Sequence, residues 1–517
     1  MRAWRTPRIL LLAALVLAVA ACATLPETAP RGAPGYAQSP QPGGLLAKLE
    51  ARVQDTHGGD QSAFLLLDSN EDGLRWRLAL IDSARHSLDL QYYVWWGDES
   101  GELLMARVAA AADRGVKVRL VLDDLSTMLE DEKHPKLRDE AVALIDAHPN
   151  IEMRLFNAWR SRPLVARGVE TIERMERINH RMHNKLLVAD NRAAIIGGRN
   201  LGNEYFGLSP DFNFRDLDVL GIGPVARQAS SVFDQFWNSG WVVPVAALGQ
   251  EVGAEARTAA RTVRDKLAST PSLARFPVAP EDWTERFDAM LPRMHAGTSR
   301  VHTDVPDEGT VSHHMPAAIR ELMATARSEL LIANAYIIPG QHAIERTREL
   351  VRQGVAVRML TNSLASHDVP AVNSHYKGWR KPLIEAGVQL YEVRADAATQ
   401  PLLADTAPTR SDFMGFHAKV MVVDAQRVFI GSMNLDPRSW SVNSEMGVVI
   451  ESPGLGQEVA VAIRRDMQAE NAWRVSLGED GEPVWTAGDR QLRRQPARSL
   501  WQRIEDAVFM AFPRDLY

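Results

Sequence analysis

The chain has 517 residues, of which 45% are hydrophobic and 24% are charged, and its formal net charge is −6. This length is sufficient for two or more domains that each bury a hydrophobic core, and the composition is ordinary for a folded protein. The acidic balance argues against a general nucleic-acid binder, because such proteins usually carry a surplus of basic residues.

The N-terminus has the pattern of a signal peptide. Three arginines within the first eight residues precede the apolar stretch 9–21, which is too short to span a bilayer comfortably. The stretch ends in Val-Ala-Ala-Cys at 19–22, which resembles a bacterial lipobox. That resemblance implies removal of residues 1–21 and lipidation of Cys22, while the alternative is an ordinary secretory signal with a chance cysteine.

Further expectations follow from this segment. Cys22 is the only cysteine, so no intramolecular disulfide can form. Ala23 follows it where inner-membrane lipoproteins carry an aspartate, and this resemblance favours the periplasmic face of the outer membrane in a bacterial envelope. Residues 22–44 are rich in proline, glycine, alanine and serine, which predicts a flexible tether.

Two stretches of the chain repeat the same order of predicted elements. Residues 87–95 and 329–338 are rich in β-forming residues, a helical pattern follows each, and the apolar strands 115–122 and 354–360 come next. Both helices end at a glycine suited to the left-handed cap position. Apolar strands that alternate with helices predict an α/β fold with a mostly parallel sheet.

A second set of matches shows that the chain is an internal duplication. The motif His-x-Lys-(x4)-Asp occurs at 183–190 and again at 417–424, and the same offset aligns 196–201 with 430–435. An acidic block then begins at Asp216 and at Glu445. We therefore predict the following units: 45–245, a first repeat; 246–315, a helical insertion and connector; 316–478, a second repeat; 479–517, a C-terminal tail.

The repeated residues suit phosphate chemistry. Alternation along a strand puts His183 and Lys185 on one face, and His417 and Lys419 repeat the arrangement. An imidazole can attack phosphorus or move a proton, and an ammonium group neutralises phosphate oxygens. The lysines supply the positive charge, so we expect neither a metal nor another cofactor.

Other paired residues complete the predicted site. Glycines at 197, 198 and 431 would let the backbone approach the phosphate closely. Each histidine needs an acceptor that fixes its tautomer, and we assign this orienting role to Asp216 and Glu445. Asp190 and Asp424 complete the catalytic motifs, but we expect them to anchor turns rather than touch substrate. The residues expected to bind the substrate phosphate are Asn200, Asn434 and Ser432.

These motifs resemble those of the phospholipase D superfamily over nearly the whole mature chain. The stretches 91–95, 182–185, 197–205, 216–219 and 431–439 are most similar to bacterial cardiolipin synthases of the C type. The resemblance implies duplicated α/β sandwich units, packed as an intrachain pseudo-dimer with one shared active site. It also implies a phosphohistidine intermediate, with His183 as nucleophile and His417 as acid and base.

The resemblance further implies transfer of a phosphatidyl group to phosphatidylglycerol, with phosphatidylethanolamine as a second phospholipid and no obligate protein partner. A lipid substrate also agrees with the anchor at Cys22, with arginines in the insertion 159–181, and with an amphipathic helix near 499–512. The packing of that helix onto the body is equally compatible with the pattern. The open alternatives are a hydrolytic phospholipase D, a phosphodiesterase or nuclease, and an inactive scaffold.

Overall fold

The computed structural model describes residues 31–125, 142–160, 164–249, 254–307 and 309–510. The signal segment 1–21 and Cys22 lie outside the described residues, so their predicted roles stay predictions. Among the residues that the structure covers, no helix combines the length and the apolar character needed to cross a bilayer.

The first half of the chain folds as one sheet with helices on both faces. Its strands lie in the order β9-β4-β3-β2-β5-β6-β8-β1. The elements are, in chain order, α1 (Leu45–His57), β1 (Ser62–Leu67), α2 (Asn70–Ser83), β2 (Ser87–Tyr92), α3 (Glu99–Asp113), β3 (Lys117–Asp123), β4 (Ile151–Phe156), α4 (Leu164–Glu173), α5 (Met175–Asn179), β5 (Lys185–Ala189), β6 (Ala193–Gly197), α6 (Asn203–Phe206), β7 (Phe212–Arg215), β8 (Asp218–Ile222), α7 (Pro224–Trp237) and β9 (Val242–Pro244).

The second half repeats this topology, with strand order β10-β19-β18-β17-β13-β14-β15-β20-β21-β22. The remaining elements are, in chain order, α8 (Ala254–Ala268), α9 (Thr284–Met290), β10 (His295–Thr303), β11 (Val305–Asp307), β12 (Thr310–Ser312), α10 (Met315–Ala324), β13 (Glu329–Asn334), α11 (Gln341–Arg352), β14 (Ala356–Asn362), α12 (Pro370–Tyr376), α13 (Arg380–Glu385), β15 (Gln389–Val393), β16 (Phe413–Phe416), β17 (Lys419–Val423), β18 (Arg427–Gly431), α14 (Pro437–Ser441), β19 (Met446–Glu451), α15 (Pro453–Asp466), β20 (Ala472–Leu477), β21 (Pro483–Ala487), β22 (Arg490–Leu492) and α16 (Leu500–Phe509).

The duplication and the α/β class are confirmed, but the sheets are mixed rather than mostly parallel. Within the two large sheets, the described parallel pairs are confined to β2-β3-β4 and their counterparts β13-β14-β15, because the strands that carry the histidine motifs return as antiparallel hairpins. The predicted glycine caps are present at equivalent positions: Gly115 follows α3 with φ of 95°, and Gly354 follows α11 with φ of 89°.

Strand β10 lies within the predicted connector and pairs with strands of both sheets. Its first residues pair with β1 of the first sheet, from Ser62–Gly297 to Phe64–His295. Its later residues pair with β19, so it holds in the second sheet the place that β1 holds in the first. The predicted connector 246–315 therefore contributes a strand to each sheet. Half-exposed polar residues along this strand hid the expected apolar pattern.

A hydrophobic core joins the two halves. It combines residues of α7 and of β1, β5 and β6 with residues of α15 and of β17, β18 and β19. Separate apolar cores lie under the outer helices of each half. The two sheets thus pack through a shared apolar layer, as predicted for an intrachain pseudo-dimer.

Part of the predicted tether is held against the first half. Residues 31–43 form no helix or strand, as their composition predicts, but the Arg154 side chain donates to the Ala33 carbonyl at 2.6 Å. The Asn191 amide donates to the Gln38 carbonyl, and Ala37 N–H donates to Asp234. The segment from Arg31 onwards is therefore fixed to the body.

A buried ion cluster in the first half has no counterpart in the second. Arg199 is fully buried, pairs with Asp218 at 3.0 Å, and donates to the carbonyls of Leu67 and Asp216. The repeat-equivalent residue of the second half is Met433, which lies in an apolar core. Arg199 is thus part of a local polar network rather than of the shared core.

We expect Arg199→Met to lower the free energy of unfolding by about 3–5 kcal/mol, because it leaves buried carbonyl acceptors without a partner and removes one of the two buried arginines, Arg199 and Arg77, that pair with Asp218. Urea denaturation measures this. The control Arg286→Met removes an exposed pair with Glu281 and should cost about 1 kcal/mol or less. Equal losses in the two variants would contradict the assignment.

Candidate active site

The two histidine motifs lie at equivalent strand ends. Lys185 is the first residue of β5 and pairs with Tyr92 of β2, while Lys419 is the first residue of β17 and pairs with Asn334 of β13. His183 and His417 stand two residues earlier on the same face. Each lysine ammonium donates to the carbonyl oxygen of its own histidine, so the cation stays beside the imidazole.

Each histidine takes its orienting carboxylate from the other half of the chain. His183 Nδ1 lies 2.9 Å from Glu445 Oε2, and His417 Nδ1 lies 2.7 Å from Asp216 Oδ2. The backbone follows the same crossing, because His183 N–H donates to Ser444 O. The predicted orienting acids are therefore in place, and the structure adds that they are exchanged between the repeats. One site is built from both halves.

The backbone of the opposite half also supports this exchange. Strands β7 and β16 pair in parallel across the two halves, and His417 N–H donates to Arg215 O at the end of β7. Glu445 N–H donates to Asp304 Oδ2 at 2.9 Å. Asp304 is fully buried and also accepts from the first N–H groups at the start of α10. Asp304, which lies in the predicted connector, thus fixes the backbone of Glu445. No sequence motif indicated this residue.

Ser432 supports an orienting acid, although it was predicted to bind phosphate. Its hydroxyl lies 2.5 Å from Glu445 Oε2 and accepts from Met446 N–H. The repeat-equivalent residue is Gly198, where a Cβ atom would lie 2.4 Å from Asp216 Oδ1. The glycine therefore admits the carboxylate of Asp216 rather than a phosphate.

The predicted phosphate-binding asparagines have different surroundings. Asn200 is buried, donates to Tyr205 Oη and accepts from Val94 N–H. The Oδ1 atom of Asn434 is buried with no hydrogen-bond partner among the described residues. Phosphate binding by either residue stays a prediction, and the structure gives Asn200 a local role that the sequence did not indicate.

Asp190 and Asp424 anchor turns, as expected from their place after the strand. Asp190 accepts from the backbone N–H groups of residues 85–87, and Asp424 accepts from those of residues 327–329. Both residues have φ of 52°. They hold the distal end of each motif strand against the start of β2 or β13.

Burial and crowding of positive charge shift the titration of the site. Burial, with the charges of Lys185 and Lys419, lowers the pKa of His183 well below its usual value. Burial lowers the pKa of Lys419 to about 8, despite the nearby carboxylate of Asp216. An anion bound between the lysines would raise both ammonium pKa values, because it offsets their mutual repulsion.

The two orienting acids differ in their charge state. Burial would raise the pKa of Asp216, but the hydrogen bond and charge of His417 outweigh it and lower the pKa to about 2. Burial raises the pKa of Glu445 to about 7, against the charge of Lys185. Glu445 Oε1 is buried and has no hydrogen-bond partner among the described residues. The carboxylate beside His417 is thus ionised over a wider pH range.

Aromatic rings form the walls of the site. Tyr93 meets His183 edge-on at 5.0 Å between ring centroids, and Tyr205 meets His417 at 5.3 Å. Lys419 Nζ lies over the ring of Tyr336, which stacks on the ring of His367. The hydroxyl of Tyr336 donates to Asp368, the residue after His367 in the chain. The two tyrosines beside the histidines lie in stretches that carried the family resemblance. His367 and Asp368 lie in a loop without any motif.

The arginine-rich insertion is only partly available to a ligand. Arg181 is buried, pairs with Asp123 at 3.2 Å and lies over the ring of Trp159, and Arg167 is also buried against this ring. Arg162 lies outside the described residues. The remaining exposed or half-exposed positive charge of this insertion comes from Arg160, Arg174 and Arg177.

The comparisons with known proteins agree with this geometry. Residues 78–237 and 319–467, more than half of the chain, match the family model described as cardiolipin synthase, PLD-like domain. The chain is 36% identical to cardiolipin synthase C of Escherichia coli (strain K12), over 89% of this chain and 96% of the relative. It is 26% identical to cardiolipin synthase B of the same strain, over 76% and 77% of the two chains.

A solved structure supports the fold. Phosphatidylserine synthase of Haemophilus influenzae Rd KW20 superposes with a TM-score of 0.54 at 14% identity, over 81% of this chain and 90% of that one. Together with the paired motifs and the crossed carboxylates, these matches show that the chain belongs to the phospholipase D-like family of cardiolipin synthases.

Proposed function

We propose that the protein is a phosphatidyltransferase that makes cardiolipin from phosphatidylglycerol and a second phospholipid. The observation that carries the proposal is the shared site, where two oriented histidines and two lysines from the two halves lie close enough for their charges to interact. The 36% identity to cardiolipin synthase C over nearly its whole length supports the choice of substrate.

In the proposed first step, His183 Nε2 attacks the phosphorus of the donor phospholipid. The Nδ1–H of His183 donates to Glu445, which leaves the Nε2 lone pair free. The bond from phosphorus to the headgroup oxygen breaks, and His417 gives this oxygen its proton. The products are a phosphatidyl-histidine and the headgroup alcohol.

In the second step, the hydroxyl of phosphatidylglycerol loses its proton to His417, and its oxygen attacks phosphorus. The bond from phosphorus to His183 breaks, which regenerates the free imidazole. Lys185 and Lys419 stabilise the charge on the phosphate oxygens in both steps. Water in place of the alcohol would give phosphatidic acid, so the nature of the acceptor separates a transferase from a hydrolase.

The electrostatics support this division of roles. A nucleophilic histidine must be neutral, and burial with two nearby lysines lowers the pKa of His183 well below its usual value. Burial lowers the pKa of His417 as well, but the hydrogen bond and charge of Asp216 oppose this shift. A proton carrier passes through the imidazolium form, and Asp216 beside His417 stays ionised because its pKa is about 2. An ionised partner stabilises that imidazolium. We therefore assign His183 as nucleophile and His417 as acid and base.

We also propose that the protein is a lipoprotein anchored through Cys22 at the periplasmic face of the outer membrane. The charged and apolar segments before Cys22 and the alanine after it support this placement. We expect Cys22→Ser to abolish incorporation of labelled fatty acid and to release mature protein from the membrane fraction. Unchanged acylation in the variant would contradict the proposal.

We expect His183→Ala and His417→Ala each to lower turnover by about a thousandfold or more, because the two residues act in one cycle. Labelled phospholipid should leave a trapped phosphoenzyme in His417→Ala but not in His183→Ala. The exposed His342 of α11 provides the control His342→Ala, which should keep full activity. Full activity in either site variant would refute the shared site.

The products identify the reaction. Purified protein given phosphatidylglycerol, with and without phosphatidylethanolamine, should form cardiolipin that mass spectrometry detects. Phosphatidic acid as the sole product would identify a hydrolase. Cleavage of single-stranded DNA without lipid turnover would overturn the lipid substrate.

We expect kcat/KM to fall as the pH drops below about 7. Burial raises the pKa of Glu445 to about 7, and a protonated carboxyl accepts from His183 Nδ1–H more weakly than a carboxylate does, which stabilises the nucleophilic tautomer less. The pH profile of Glu445→Gln should lack this acidic limb, at a rate lower by about 10²-fold or more.

Asp216→Asn is the matched control for this profile. It removes the orienting acid of His417, whose pKa of about 2 lies below the measured range. The rate should fall, but the limb near pH 7 should remain. A limb that persists in Glu445→Gln would show that another group controls it.

A further inference from the structure

Helix α16 is turned with its polar face inward. Its buried side chains are Gln502 and Asp506. Large apolar side chains face solvent and form what we call the C-terminal patch: Leu500 (74% exposed), Trp501 (65%), Ile504 (44%), Val508 (56%) and, just after the helix, Met510 (58%). A helix packed onto a globular body normally buries its apolar stripe.

Buried hydrogen bonds fix this orientation. Asp506 accepts from Asn373 Nδ2 at 2.6 Å and pairs with Lys377 Nζ at 2.8 Å. Gln502 donates to the carbonyl of Leu364 and accepts from Arg498 N–H. Rotation of the helix would bury Trp501 only by leaving these polar groups without partners. The apolar face is therefore held outward.

A second exposed apolar group lies on the other half of the chain. Val169 and Ile172 of α4 and Met175 of α5 are 51%, 75% and 54% exposed, and we call them the α4 patch. Most strongly exposed large apolar side chains among the described residues belong to these two patches. Such grouping distinguishes an interaction surface from scattered surface residues.

Both patches are attached to the segments that frame the active site. Helix α5 ends at Asn179, four residues before His183, and Arg438 of the second half donates to Asn179. On the other side, Arg498 at the start of α16 donates to the carbonyl of Ala365. That loop carries Asp368, which accepts from Tyr336 over Lys419. Each patch is thus connected, through the chain and these hydrogen bonds, to a segment beside one histidine motif.

Positive charge borders the C-terminal patch, because Arg493, Arg494 and Arg498 are exposed just before α16. Beside the α4 patch, the half-exposed Arg174 and Arg177 alternate with the exposed Glu173 and Glu176. Amphipathic surfaces of this kind bind anionic membranes, because burial of apolar side chains and attraction to lipid phosphates act together. A second protein copy would bring the same positive rim against itself, which disfavours self-association.

We propose that the C-terminal patch and the α4 patch dock the enzyme on an anionic phospholipid bilayer, with the active site between them facing the lipid headgroups. The inference rests on the proposed function, since it supplies the route by which phospholipid enters the site. It concerns residues that take no part in the chemistry.

The first test depends on Cys22 being the only cysteine in the chain, since its replacement lets one new cysteine be labelled alone. In a Cys22→Ser background, Ile504→Cys and Ile172→Cys each give one site for a polarity-sensitive fluorophore. Val461→Cys on α15 is the matched control, because Val461 is 55% exposed and lies outside both patches. Each labelled chain is mixed with vesicles of equal parts phosphatidylglycerol and phosphatidylethanolamine, and with phosphatidylcholine vesicles.

The labels at 504 and 172 should shift to shorter emission wavelength on the anionic vesicles and much less on phosphatidylcholine. The label at 461 should not change. Equal shifts at all three positions, or none, would overturn the proposal. A shift that appears without vesicles as the protein concentration rises would identify a second copy as the occupant and overturn it as well.

The second test uses activity. Val508→Asp should lower turnover on vesicles by about tenfold, the loss expected from exposing one buried valine, and should leave turnover in detergent micelles unchanged. Val461→Asp should change neither. An equal loss in vesicles and micelles would refute docking. Absence of lipid turnover in the unmodified enzyme would refute the proposed function, while the fluorescence test would still decide the docking.

Discussion

The structure depends on the exchange of orienting carboxylates between the two halves. Asp216 of the first half fixes His417, and Glu445 of the second half fixes His183. Each imidazole thus takes the acceptor that fixes its tautomer from the opposite half. The shared apolar layer between the sheets and the parallel pairing of β7 with β16 bring these groups within hydrogen-bond distance. The packing of the halves is therefore part of the chemistry.

The two halves of the site differ in their surroundings, although each takes its carboxylate from the opposite half. Asp216 stands against Gly198 and the buried Arg199, whereas Glu445 receives the hydroxyl of Ser432. The shorter acid stays ionised, and burial raises the pKa of the longer one to about 7. A fully symmetric site would give both histidines the same properties, while unequal environments can separate a nucleophile from a proton carrier.

The paired residues of the site could be predicted from the sequence, because they occur in both copies of the repeat. His183, Lys185, His417, Lys419 and both orienting acids followed from matched spacing, and the strands followed from apolar runs. The exchange of carboxylates between the halves could not be predicted, because sequence spacing does not show which half supplies the carboxylate for each histidine. Three other residues lie outside every motif and reach the site only when the chain folds: Asp304, His367 and Asp368. Strand β10 was assigned to the connector because its half-exposed residues lack an apolar pattern.

The two-sheet strand β10 also constrains the order of folding. Its partners lie far away in sequence, since Gly297 pairs with Ser62 and Thr303 pairs with Met446. Until β10 has been synthesised, β1 presents an open strand edge, which is a site for pairing with other chains. The second sheet can close only after β19 is made. Long-range pairing of this kind slows folding and prolongs the exposure of edges. The strand that joins the halves thus makes a nascent chain vulnerable until almost all of it has been made.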